Sequence, residues 1–89
     1  MKYRSRTEII DMILQASRSG ITKTKIMYKA YLSYTQVKEY LSLMLEKDLI
    51  MYEEGSQIYR VTENGLHFLH TYSEISDMVI PKPMNRKVF

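Results

Sequence analysis

Two helix starts stand so close together between residues 22 and 36 that the chain must turn a sharp corner between them. Thr22 is a candidate N-cap for a short helix over 23–30, in which Ile26, Met27 and Ala30 mark an apolar stripe. Tyr31-Leu32 follow, and Ser33-Tyr34-Thr35-Gln36 then reads as a capping box, with a hydroxyl to cap the N3 amide and a Gln side chain reaching back. It opens a helix over 34–47, whose Val37, Tyr40, Leu41, Met44 and Leu45 recur at i, i+3, i+4, i+7 and i+8. A new N-cap three residues after a helix ends forces two short helices to cross rather than run on.

The flanking segments give that corner its setting. Ser5-Arg6-Thr7-Glu8 is another capping box, and Ile9, Ile10, Ile13, Leu14 and Ala16 predict a helix over 6–18, stopped by Ser19-Gly20. After Lys47-Asp48 the period changes. Residues 49–54 and 57–61 read as two strands around a tight Gly55-Ser56 turn, a hairpin that needs the helices to pack on. Thr62-Glu63 caps a fourth helix over 63–79, which Pro81 halts, and 81–89 reads as a basic flexible tail. The 89 residues suit one domain, residues 1–80, with the fourth helix closing it. The order is mainly α with a small β-hairpin: three helices, a two-stranded wing and a C-terminal helix, the winged helix-turn-helix plan.

Charge is divided unevenly along this plan. The net charge is +3, but residues 1–38 carry +6, residues 39–80 carry −6, and the tail adds +3 through Lys82, Arg86 and Lys87. Cations gathered in one half present a basic face, and a basic face favours polyanions. Within a helix-turn-helix, Lys23, Lys25 and Lys29, with Arg4, Arg6 and Lys38, are placed for phosphates. Tyr34, Thr35, Gln36, Lys38, Glu39 and Ser42 lie off the apolar stripe of the helix over 34–47, which at about 21 Å can lie across a major groove. Gln36 and Lys38 are the candidates for base edges, an amide suiting adenine and an ammonium guanine. The competing roles are closure of the capping box by Gln36 and a phosphate contact by Lys38.

Three segments carry a resemblance: Lys25–Ala30, Leu32–Leu41 with Leu45–Ile50, and Tyr59–Gly65. Over about residues 5–75 the chain resembles the archaeal small winged helix-turn-helix DNA-binding proteins, of the ten-kilodalton chromatin-associated type and the related transcriptional regulators. The resemblance implies a dimer that binds double-stranded DNA and joins through its C-terminal helix. It also implies that Tyr34, Thr35, Gln36, Lys38 and Glu39 face the groove, with Ser33 and Ser42 at the margins of that surface. Pro81 shortens the helix a long coiled coil needs, and the hairpin tip Glu53-Glu54-Gly55-Ser56-Gln57 is acidic, a poor match for phosphate.

The fourth helix has a seam of its own. Phe68, Tyr72, Ile75 and Val79 recur at spacings of 4, 3 and 4, the heptad pattern of a helix pair, while Leu66 and Leu69 return to the core. A second copy of the chain is the simplest cover for such a seam, and the alternative is packing on the first helix within a monomer. His67 and His70 read as exposed side chains, the seven Met as core filler, and Tyr28 and Tyr31 as core or boundary aromatics. No cysteine is present, which removes disulfides, thiolate metal sites and a thiol nucleophile. No Gly-rich phosphate loop, paired-carboxylate cleft or 20-residue apolar span is seen, and Met1–Arg6 precede no apolar leader core. The expectation is a cytoplasmic, nucleoid-associated homodimer on double-stranded DNA, without metal, cofactor, membrane or catalysis, acting as a transcriptional regulator or chromosome organiser. The competing expectation is a protein-interaction module working through the acidic hairpin and the seam of the fourth helix.

Overall fold

Each helix begins where a hydroxyl is available to receive its free amides. The structure, a computed structural model, describes residues 4–79, apart from the side chain of Val79. The tail expected at 81–89 and the domain boundary expected at 80 lie outside them. Ser5 and Ser33 both close reciprocal capping boxes, with Glu8 and Gln36 as the returning side chains, and open α1 (Arg6–Ala16) and α3 (Tyr34–Glu46). Thr22 accepts from the amide of Lys25 and opens α2 (Lys23–Ala30). Strands β1 (Ile50–Glu53) and β2 (Ile58–Val61) follow, then α4 (Glu63–Val79), where the Thr62 hydroxyl accepts from the amide of Gly65.

The ends depart from expectation more than the starts do. α1 stops at Ala16, short of the expected 18, because the Ser17 amide bonds to several last-turn carbonyls and its buried hydroxyl donates back to Ile13 at 2.6 Å. α3 stops at Glu46 rather than 47. Both α2 and α3 close in Schellman motifs without a glycine. Leu32 donates to Met27 and Tyr31 to Tyr28 at one end, Leu49 to Met44 and Asp48 to Leu45 at the other. The left-handed residues are Tyr31 at φ 55° and Asp48 at φ 60°. Asp tolerates that conformation; for Tyr it costs about 1 kcal/mol or more.

The hairpin also differs. Ile50 pairs with Val61 and Glu53 with Ile58, so the connection spans four residues, 54–57, rather than a tight turn on Gly55-Ser56. The Gln57 amide donates to the Glu53 carbonyl at 2.7 Å, and Gln57 rather than Gly55 takes the left-handed position, at φ 58°. Ile21 adds a third rung: it exchanges two backbone hydrogen bonds with Tyr59, at 3.0 and 2.8 Å. This joins the entry of α2 to β2.

The core gathers one face of each helix: Ile13 and Leu14 of α1, Ile26 and Ala30 of α2, Val37 and Met44 of α3, with Ile50 and Leu69 from β1 and α4. Leu32 and Leu41 are buried beside them. Leu45 and Leu66, expected inside, stand exposed. α1 packs against both α2 and α4, and α2 crosses α3. The outer face of α3 is left uncovered.

Candidate nucleic-acid interface

Burial of Val37, Leu41 and Met44 fixes the rotation of α3 about its axis. At about 100° per residue Thr35, Glu39 and Ser42 fall on the opposite face, while Tyr34 and Lys38 fall on the flank between it and the buried stripe, and all five are exposed. The five share one outward strip beginning at the corner. Ser33 and Gln36 are engaged elsewhere: the Ser33 hydroxyl accepts from the Gln36 amide at 3.1 Å, and the Gln36 side-chain oxygen accepts from the Ser33 amide at 2.9 Å. Gln36 therefore closes its capping box, the competing role named for it above.

Tyr34 is the hub of the strip. The Lys23 ammonium of α2 lies 4.8 Å from its ring centroid, and the Lys38 ammonium of α3 lies 5.4 Å from it. Each exposed cation–π contact contributes about 0.5–1 kcal/mol. The two distances keep the ammonium groups within about 10 Å of each other, so their repulsion across water is at least about 0.4 kcal/mol and reaches about 1 kcal/mol only near 4 Å. The two ring contacts together, about 1–2 kcal/mol, match or exceed it, so two like charges share one ring. Among the described residues neither lysine has a carboxylate within ion-pair distance. Lys23 also acts on the Tyr59 phenol of β2, which burial pushes above its ordinary range while Lys23 pulls it down and Tyr52 pushes it up. The Tyr52 and Tyr59 rings meet at 4.8 Å on the hairpin.

The other expected cations are dispersed. The Arg4 guanidinium donates to the Ala30 and Tyr31 carbonyls at 2.5 and 3.1 Å, closing the C-terminal end of α2. Arg6 lies 5.6 Å over the Tyr40 ring. Lys25 and Lys29 are four residues apart, so they share a flank of α2. Lys29 lines a groove with Asp11, Met12, Gln15 and Ala16 of α1, away from the Lys23 side. The structure thus brings Lys23, Tyr34 and Lys38 together, and places Arg4 and Lys29 apart from them. Tyr28 and Tyr31 are 70% and 79% exposed, against the expectation that they pack at the core or its boundary.

The element order, the crossing of α2 and α3 and the hairpin fit one family model, the winged helix-turn-helix, which matches residues 3–79. The chain belongs to the winged helix-turn-helix family. Its fold is similar to the crystal structure of Sso10a-2, a DNA-binding protein from Sulfolobus solfataricus, with a TM-score of 0.74, 24% identity, and coverage of 85% of this chain and 82% of that one. The likeness agrees with the winged-helix fold read from the sequence. No curated protein sequence matches the chain.

In winged-helix terms α3 is the recognition helix and β1–β2 the wing, whose base carries the one cation within its strands. Arg60 pairs with Glu53 at 2.7 Å, holding that carboxyl below its usual range, and the Ser56 hydroxyl donates to the same carboxylate. Glu54 stands exposed at the tip. The wing of this winged-helix chain therefore offers aromatic rings and carboxylates, and its arginine is already paired.

The seam expected on α4 divides in two. Phe68 packs on the core, and its ring stacks with that of Tyr72 at 6.2 Å. The Tyr72 phenol is pushed up by burial first, then by Glu8 and Asp11 of α1. Ile75 is 52% exposed and Met78 83% exposed; the Val79 side chain lies outside the description. The first half of the seam is thus covered by α1, and the second is open. No helix of the described residues is long and apolar enough to cross a membrane. His70 lies 3.3 Å from Glu74, and among the described residues no three His, Asp or Glu groups converge as a metal site.

Proposed function

We propose that this protein binds double-stranded DNA, laying the exposed strip of α3 in the major groove while Lys23 and Lys38 meet phosphates at its rim. The observation that carries this is the pair of ammonium groups at Tyr34, beside an uncovered recognition helix in a winged helix-turn-helix chain. The major groove, about 12 Å wide, admits an α-helix, and phosphate neutralisation supplies most of the sequence-independent affinity. Thr35, Glu39 and Ser42 are the short hydrogen-bonding groups left to address base edges, with a carboxylate suited to the cytosine amino group. The DNA-binding description of Sso10a-2 supports the same reading.

The open half of the α4 seam, Ile75 and Met78, supports a homodimer joined through that helix. α4 carries three carboxylates and no Lys or Arg, so electrostatics turn it away from the phosphate backbone. A dimer reading one face of B-DNA spaces its half-sites about 34 Å apart or a multiple of it. Such a protein works in the cytoplasm on the nucleoid, as a transcriptional regulator or a chromosome organiser. Selection from a randomised duplex library at several salt concentrations tests the reading. Affinity that falls steeply with salt is expected; enrichment of one sequence marks a regulator, and retention without enrichment marks an organiser. Absence of duplex binding at low salt refutes it.

A further inference from the structure

Tyr34 carries no charge, yet it is the group that collects charge. Its ring receives Lys23 from α2 and Lys38 from α3, two helices that otherwise diverge from the corner. Lysine side chains on a surface are long and mobile, and each loses rotamer freedom when a phosphate fixes it. An aromatic ring that already holds both ammonium groups removes part of that loss beforehand. Tyr34 is 56% exposed, Lys38 is exposed and Lys23 is half-buried, so the ring and its two cations stand at the surface. Along one DNA strand the charges advance by about 3.4 Å of axis per phosphate. One phosphate, or two in succession, therefore falls within reach of groups held within about 10 Å of each other.

We infer that Tyr34 is a positioning residue for a two-lysine phosphate clamp, in which Lys23 and Lys38 grip the backbone of one DNA strand from opposite sides of the helix corner. The inference rests on the DNA-binding reading above and adds a function for an uncharged side chain within it. The clamp ties affinity to the crossing of α2 and α3, since each helix contributes one jaw.

The test measures binding of the full chain to a labelled random-sequence duplex by fluorescence anisotropy across salt concentrations. Variants are Lys23→Gln, Lys38→Gln, Tyr34→Phe, Tyr34→Leu, and each Lys change combined with Tyr34→Leu. Each lysine change should lower the slope of log affinity against log salt by about one. Tyr34→Phe keeps the ring and should leave affinity within about twofold of the original. Tyr34→Leu should weaken binding about fivefold, and in its background Lys23→Gln should cost clearly less than it does in the original chain. Thermal melts confirm that these variants are folded. Equal costs of Lys23→Gln in both backgrounds, or Phe and Leu behaving alike, overturn the clamp while leaving DNA binding intact. An original chain that fails to bind duplex at all overturns the DNA reading and the clamp with it.

Discussion

Replacing Gly65 with alanine sets two physical rules against each other. Gly65 lies in the first turns of α4, where alanine ordinarily gains about 1 kcal/mol through helix propensity. Here the added methyl would overlap the carbonyl oxygen of Leu49, lie 2.5 Å from Val61 Cγ2 and 3.1 Å from Leu14 Cδ2. Carbon atoms prefer about 3.5–4.0 Å, and the Leu49 carbonyl cannot retreat freely because it accepts the Thr62 amide at 3.0 Å. Overpacking of this kind costs about 1–3 kcal/mol, and a weakened backbone hydrogen bond about 1 kcal/mol more. Subtracting the propensity gain leaves a net loss of about 2 kcal/mol, which lowers Tm by about 8–16 °C for a domain of this size. Circular dichroism melts of Gly65→Ala beside Gly55→Ala check it. A Cβ at Gly55 meets nothing within 4 Å, so that variant should stay within about 0.5 kcal/mol of the original. A Gly65→Ala protein as stable as the parent, or more so, would refute the close seating of α4 on the base of the wing.

Tyr31→Gly should raise stability by about 0.5–1 kcal/mol, since glycine removes the left-handed strain at the Schellman turn and the lost ring is mostly solvent-exposed; denaturant melts read this directly. Arg4→Gln should lower stability by about 1 kcal/mol through the lost cap on α2 while leaving the salt slope of DNA binding unchanged, which separates a structural cation from a phosphate contact. Burial raises the Asp11 carboxyl above its ordinary 3.8, with a hydrogen bond from Gln15 pulling partly back. The folded state therefore holds that proton more tightly than the unfolded state, and stability falls as pH rises from 3.8 through the folded value. Asp11→Asn should accordingly stabilise the protein at neutral pH, with the gain vanishing below pH 3.8, as melts across pH would show.

The helix starts were legible because capping is local: Ser5 with Glu8 and Ser33 with Gln36 are satisfied within four residues, whatever the rest of the chain does. The ends of α2 and α4 also fell where expected, at Ala30 and Val79, but α1 and α3 ended two and one residues early and the wing turn was wider, with the left-handed positions at Tyr31, Asp48 and Gln57 rather than at a glycine. Periodicity identified the buried stripe of α3 but misplaced Leu45, since spacing gives a residue's angle on the helix and not how much of that flank the neighbouring elements cover. For the candidate site, sequence spacing placed Tyr34 and Lys38 on one strip. It could not bring Lys23 to the same ring or separate Arg4 from it, since those depend on how α2 crosses α3 and where the N-terminal arm lands. Tyr52 and Tyr59 read from the sequence only as core or boundary aromatics; that Tyr59 feels the charge of Lys23 depends on tertiary placement, and the Ile21–Tyr59 bridge is a long-range pairing that no short pattern encodes.

That rung has a mechanical result. Two backbone hydrogen bonds rivet the hairpin to the residue just before the Thr22 cap of α2, so neither can swing without carrying the other. In the proposed DNA complex, hairpin, α2 and α3 would meet the duplex as one stiff tool, already shaped before contact, with little of the interaction energy lost to arranging them on arrival.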